Sequence, residues 1–137
     1  MQNIKSRSGS KKPPIHISER DYEIIADLAL RMEQRHPHLS SLILNEIDRA
    51  HIHALSKLPR DVVALSSEVV FVDDLTSTVR RVRLVLPSEA DIEEGRISVM
   101  TSVGAGLIGM RVGGEINWPC PDGRPRVLKI LEVNQLR

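Results

Sequence analysis

The chain has 137 residues, with 19 Lys plus Arg against 18 Asp plus Glu and a net charge of +1. That length fits one domain, or one domain with a small appendage, and the balance excludes a polyanion binder that works by bulk charge unless the charge is segregated along the sequence. A single cysteine, Cys120, excludes an internal disulfide and a thiolate metal cage, and no apolar run approaches the roughly 18 residues that cross a bilayer.

Residues 1–14 carry Lys5, Arg7, Lys11 and Lys12 and no acid, and they end in Pro13-Pro14. Such a segment cannot bury enough apolar surface to order itself, which predicts a disordered basic arm. The arm is expected to be a solvated tail; contact with nucleic-acid phosphates through its four cations is the alternative. It holds no apolar stretch of signal-peptide type, which predicts a cytoplasmic protein.

Ser18 begins a predicted helix, and Asp21 three residues later makes a capping-box-like pair near the positive end of the helix dipole. Tyr22, Ile25, Ala29 and Met32 follow at spacings of three and four, and Pro37 stops the pattern. Ser40 or Ser41 is expected to cap a second helix, in which Ile43, Ile47, Ala50 and Ala54 recur until Pro59. Two amphipathic helices joined by a short turn read as an antiparallel hairpin over 15–58, with a reach of roughly 27 Å.

After Pro59 the apolar period changes to two. Residues 68–73 and 79–86 predict a strand hairpin, with Val82, Leu84 and Leu86 on one face and Arg81 and Arg83 on the other. A glycine-rich segment, 102–110, predicts one short helix ended by Gly109, with a turn at Gly113-Gly114. Glu115 to Trp118 and Val127 to Val133 predict two further strands about a Pro121-Asp122-Gly123 turn. The fold class is therefore α+β, with residues 59–137 forming the sheet domain.

Three aromatics, Tyr22, Phe71 and Trp118, are too few for a base-stacking platform or an aromatic-lined pocket. His36 and His38 flank Pro37, and His51 and His53 fall on the second predicted helix, where a spacing of two turns them to different faces. With His16 they are expected to be solvated, and no metal is expected. Glu89, Asp91, Glu93 and Glu94 read as a charged surface loop. Gly104, Gly106 and Gly109 match a dinucleotide-binding glycine pattern, but an antiparallel hairpin follows instead of a parallel unit, so packing glycines are expected and no cofactor. Cys120 has no basic neighbour that would activate it. No serine stands in a nucleophile-elbow context, and the reading is non-enzymatic.

Glu89-Ala-Asp91, Gly95-Arg-Ile-Ser98, Thr101 to Gly109 and Val112-Gly113 occur in order over about residues 62–134. This series resembles the C-terminal domain of the Gre-type bacterial transcription elongation factors. Leu44-Asn45-Glu46 and Ile47-Asp48-Arg49-Ala50 look like the second helix of a closer relative, the regulator of nucleoside diphosphate kinase group. The resemblance implies an FK506-binding-protein-like antiparallel sheet wrapped on a short helix. It also implies bacterial RNA polymerase as partner, bound near the secondary channel through Met100, Thr101, Ser102 and Val103. Val103 stands where the Gre pattern has proline, and Gly114 where it has aspartate. Gre factors hold a catalytic metal with acids at the tip of a long helical arm; the predicted tip here, Glu33 to Leu39, has one carboxylate beside Arg35, His36 and His38. The expected function is a regulator that occupies the Gre site through that loop and tip without stimulating transcript cleavage. A nucleic-acid module using the arm and, on fold alone, a peptidyl-prolyl isomerase are the alternatives.

Overall fold

The computed structural model describes residues 14–119 and 125–136. The expected arm as far as Pro13, Cys120 and the turn at Pro121-Asp122-Gly123 lie outside them.

The first described element is a short strand, β1 (His16–Ser18), whose central Ile17 and preceding Ile15 are buried in the core. Burying each of these isoleucines contributes about 1.5–3 kcal/mol. Ser18 then caps α1 (Glu19–Arg31), its hydroxyl accepting from the Asp21 N–H at 3.0 Å. The reciprocal half of the expected capping box is replaced by a longer-range bond. The Asp21 carboxylate accepts from the Leu65 N–H at 3.0 Å, which ties α1 to the segment leading into the sheet.

The second helix, α2, spans Pro37–Asp48, earlier at both ends than the pattern predicts. Pro37 does not merely stop α1; it starts α2 at a first-turn position, where its missing N–H and fixed φ cost nothing. Ser40 accordingly lies inside the helix, and its hydroxyl donates to the Ala29 carbonyl of α1 at 2.8 Å. With 13 and 12 residues, α1 and α2 each extend only about 20 Å rather than 27 Å.

Residues beyond Asp48 leave the helix. His51–His53 form β2, which pairs in parallel with β1 in the register His16↔His51 and Ser18↔His53. His51 and His53 are therefore on a strand, not a helix, and alternation points both to one face.

The main sheet contains β3 (Glu68–Asp73), β4 (Thr78–Val85), β5 (Arg96–Ser98), β6 (Glu115–Pro119) and β7 (Pro125–Asn134), in the order β5-β4-β3-β7-β6. The expected hairpin is present, with Glu68↔Arg83 and Asp73↔Thr78 in register, and the Asp73 carboxylate accepts from the Leu75 N–H at the turn. The sheet is mixed, not wholly antiparallel. Residues 86–95 cross over through two 3₁₀ turns, so β5 returns parallel to β4.

The short helix α3 (Ser102–Leu107) follows β5 and is buried from Gly104 to Leu107. A Cβ at Gly104 would collide with the Ser98 carbonyl oxygen, so this helix approaches the preceding backbone only with glycine there. Gly109 ends the segment at φ +80°, and a Cβ on it would stand 2.9 Å from Ile15 Cβ. Its carbonyl accepts from the His16 N–H at 2.9 Å, so β1 is held between β2 and Gly109. A single buried cluster joins Ile25, Ala29, Ile43 and Ile47 of the helices to Val69, Phe71, Val82, Leu84, Leu128 and Ile130 of the sheet. The helical pair thus lies on the sheet.

Candidate functional site

The turn between α1 and α2 closes through N–H bonds from Arg35 and His36 to the Met32 carbonyl, at 3.1 and 2.8 Å. Arg35, His36 and His38 are exposed there. His36 occupies the N-cap position of α2 without making a side-chain cap, and the first turn of α2 has no acid. The N-terminus of α2 therefore has no side-chain cap and no acid in its first turn, and lies beside the C-terminal end of α1 and the exposed Arg35.

The loop before α3 is fixed by its own hydroxyls. The Ser98 Oγ accepts from the Met100 N–H at 2.9 Å. Thr101 Oγ1 donates to the Ser98 carbonyl at 2.8 Å and accepts from the Gly104 N–H at 3.0 Å. The result is a rigid shoulder that leaves Ser102 exposed and buries Met100 to 7%.

These two regions, 60 and more residues apart in sequence, meet. Arg35, His36, Pro37, His38, Leu39, Leu42 and Ser102 line one groove of about 400 Å³. Of the expected partner-binding residues, four converge: Arg35, His36, His38 and Ser102. Three are not among its walls: Met100 is core, Thr101 uses its hydroxyl as a cap, and Val103 is half-buried against the core. Leu39 and Leu42 are the floor that the sequence reading missed. Their spacing of three at the start of a helix, beside a basic turn, was the available signal.

Glu33 is exposed near this end of α1, and among the described residues no group of three or more His, Cys, Asp or Glu is arranged to hold a metal ion. The acidic cluster is used within the loop before β5: Glu89 accepts from the Leu86 N–H at 3.3 Å, and Asp91 lies 3.6 Å from Arg96.

Asp21 and His16 depart from their ordinary titration. Burial raises the Asp21 pKa, against the opposing pull of the Leu65 N–H and Arg20. Its second carboxylate oxygen is buried without a hydrogen bond. Burial lowers the His16 pKa, helped by Arg111, His53 and His51 and opposed by Asp61.

A family model described as "Transcription elongation factor, GreA/GreB, C-term" matches residues 58–135. A "Regulator of nucleoside diphosphate kinase" from Escherichia coli (strain K12) is 34% identical over 122 residues, spanning 89% of this chain and 90% of that protein. A "Transcription elongation factor GreA" from Azorhizobium caulinodans is 37% identical over 89 residues, 65% of this chain and 56% of that protein. A solved prokaryotic transcription elongation factor GreA/GreB from Nitrosomonas europaea superposes with a TM-score of 0.71 at 30% identity, covering 90% of this chain and all of that one.

Proposed function

Because the chain belongs to the GreA/GreB transcription factor family, we propose that it binds bacterial RNA polymerase near the secondary channel and competes there with the cleavage-stimulating Gre factors, without stimulating cleavage itself. The observation that carries this reading is the groove in which Ser102 of the loop before α3 meets Arg35, His36 and His38 of the helical tip. In the family resemblance these are two separate contacts; here they make one surface. The floor is apolar and none of the seven lining residues is acidic, so the complementary polymerase face pairs an apolar side chain with a carboxylate.

The chemistry of the tip supports the negative half of the proposal. Transcript cleavage through two cations needs a second ion clamped against the attacking and leaving oxygens. A hard cation takes several oxygen ligands aimed at one point. Glu33 is the one carboxylate between 32 and 39, Arg35 repels a cation, and imidazoles are softer ligands than magnesium prefers. A helical pair of about 20 Å that lies on the sheet also has little free length to insert.

The test uses core polymerase and a stalled elongation complex. The wild-type protein is expected to bind, to release no cleaved transcript alone, and to suppress cleavage by an added Gre factor. Arg35→Glu with Ser102→Glu is expected to weaken polymerase binding about tenfold or more while leaving the urea midpoint in place. Cleavage by the protein alone overturns the mechanism. Unchanged binding by the double variant overturns the docking surface.

A further inference from the structure

Three imidazoles meet at the end of the helical pair opposite the groove. His16 of β1 and His51 of β2 stack with ring centroids 5.2 Å apart and planes at 24°. His16 and His53 have ring centroids 5.2 Å apart with planes tilted at 39°, and His16 Nδ1 is 3.0 Å from His53 Nε2. The parallel register makes this possible, since His16 and His51 are directly paired and His53 follows on the same face.

A contact of that length between two ring nitrogens contains one proton. One nitrogen donates and the other accepts, so at least one of the two rings is neutral. If both rings were imidazolium, each would direct an N–H at the other. Among the described residues, the charged groups that act on His16 do not supply a spare counter-charge. Arg111 and Asp61 act on His16 from the segments beside it, but they are paired with each other, Nε to Oδ2, at 3.2 Å. A first proton leaves an imidazolium–imidazole bond in place, whereas a second sets two imidazolium rings N–H against N–H.

We propose that His16, His51 and His53 form a proton-operated latch that holds β1 against β2 while the bonded pair keeps one neutral ring and loosens that pairing when both rings are charged. The bond that reports the latch is the His51 N–H to the Ile15 carbonyl, 2.9 Å long, because it joins the two strands at the stacked pair. The isoleucines on the opposite face and the His16 N–H bond to Gly109 keep β1 seated at its other side. Opening is thus local to the β1–β2 seam. The proposal is independent of polymerase binding.

The experiment is amide hydrogen exchange on the full chain between about pH 7.5 and 5.5, corrected for intrinsic rates. Protection of the His51 N–H is expected to fall about tenfold or more, as one linked proton permits per pH unit. The Ile130 N–H, bonded to the Gly114 carbonyl within the main sheet, is expected to stay within about twofold. In His53→Gln, which keeps a hydrogen-bonding side chain but does not titrate in this range, the fall at His51 is expected to disappear. Unchanged protection in the wild type, an equal fall in the variant, or a parallel fall at Ile130 would each overturn the latch. Should the variant fold poorly, ring-proton titration of the wild type decides alone: coupled, separated transitions for His16 and His53 support the latch, and independent ordinary transitions refute it.

Discussion

The chain contains the same local pattern twice, His36-Pro-His38 and His51-Ile-His53, at opposite ends of one helical pair. At the first end the histidines occupy a helix N-cap and first turn, stay exposed, and wall a groove. At the second they sit on a strand, share a face, and meet a third histidine from a strand 35 residues earlier. A spacing of two has no fixed meaning by itself. The backbone period decides whether the two side chains diverge or meet. One end is consequently an exposed groove, and the other a seam between two strands.

The sharpest way to break that contrast is to push β1 out of its seat. Gly109→Ala forces an L-residue to φ +80° and places its Cβ 2.9 Å from Ile15 Cβ and 3.0 Å from the His16 carbonyl oxygen. A loss of about 2–4 kcal/mol in urea unfolding is expected, combining backbone strain with displaced core packing. If the variant is as stable as wild type, β1 is not clamped at Gly109.

A smaller effect follows from proton uptake. The folded chain holds the His16 pKa below its ordinary 6.5, so the neutral ring is favoured in the fold. That contribution is complete above about pH 6.5 and is lost as pH falls through the lowered folded value. Asp21 has the opposite sign, since its pKa is raised above 3.8 and protonation favours the folded chain. Unfolding free energies from urea titrations between about pH 8 and 5 are expected to drop by under about 1 kcal/mol, because a partly exposed ring is screened by water. His16→Gln should flatten the profile; an unaltered slope would sever acid sensitivity from this end.

The smallest change belongs to the tip. His36→Gln with His38→Gln should shift stability by no more than about 0.5 kcal/mol at any pH in that range, as exposed groups without internal partners do. A loss above about 1 kcal/mol would make the tip a structural element and not an open surface.

The sheet was readable because its signals are local. Alternation over 68–73 and 79–86, the Asp73 turn, and the glycines that end α3 each lie within a few residues of what they determine. So was the Ser18 cap. The misread features are pairings across long separations. Ile47, Ala50 and Ala54 continue a helical period through a segment that pairing with β1 converts to a strand. Asp21 finds Leu65 instead of the N-cap backbone, and Ser40 finds Ala29. The groove was half legible: its basic residues were, because charge beside a proline turn is visible. Its apolar floor and the approach of Ser102 were not, because both depend on how the helices lie on the sheet.

The seat of β1 also sets an order of assembly. His16 is among the first described residues made, yet its two neighbours are β2 and the carbonyl of Gly109, and Asp21 waits for Leu65. A chain emerging from the ribosome with its amino end leading has β2 available to pair with β1 once residue 53 is made, but the Gly109 carbonyl that receives the His16 N–H follows more than fifty residues later. The seat of β1 is thus completed in two stages, and a nascent chain cut short before Gly109 has one side of it and lacks the other.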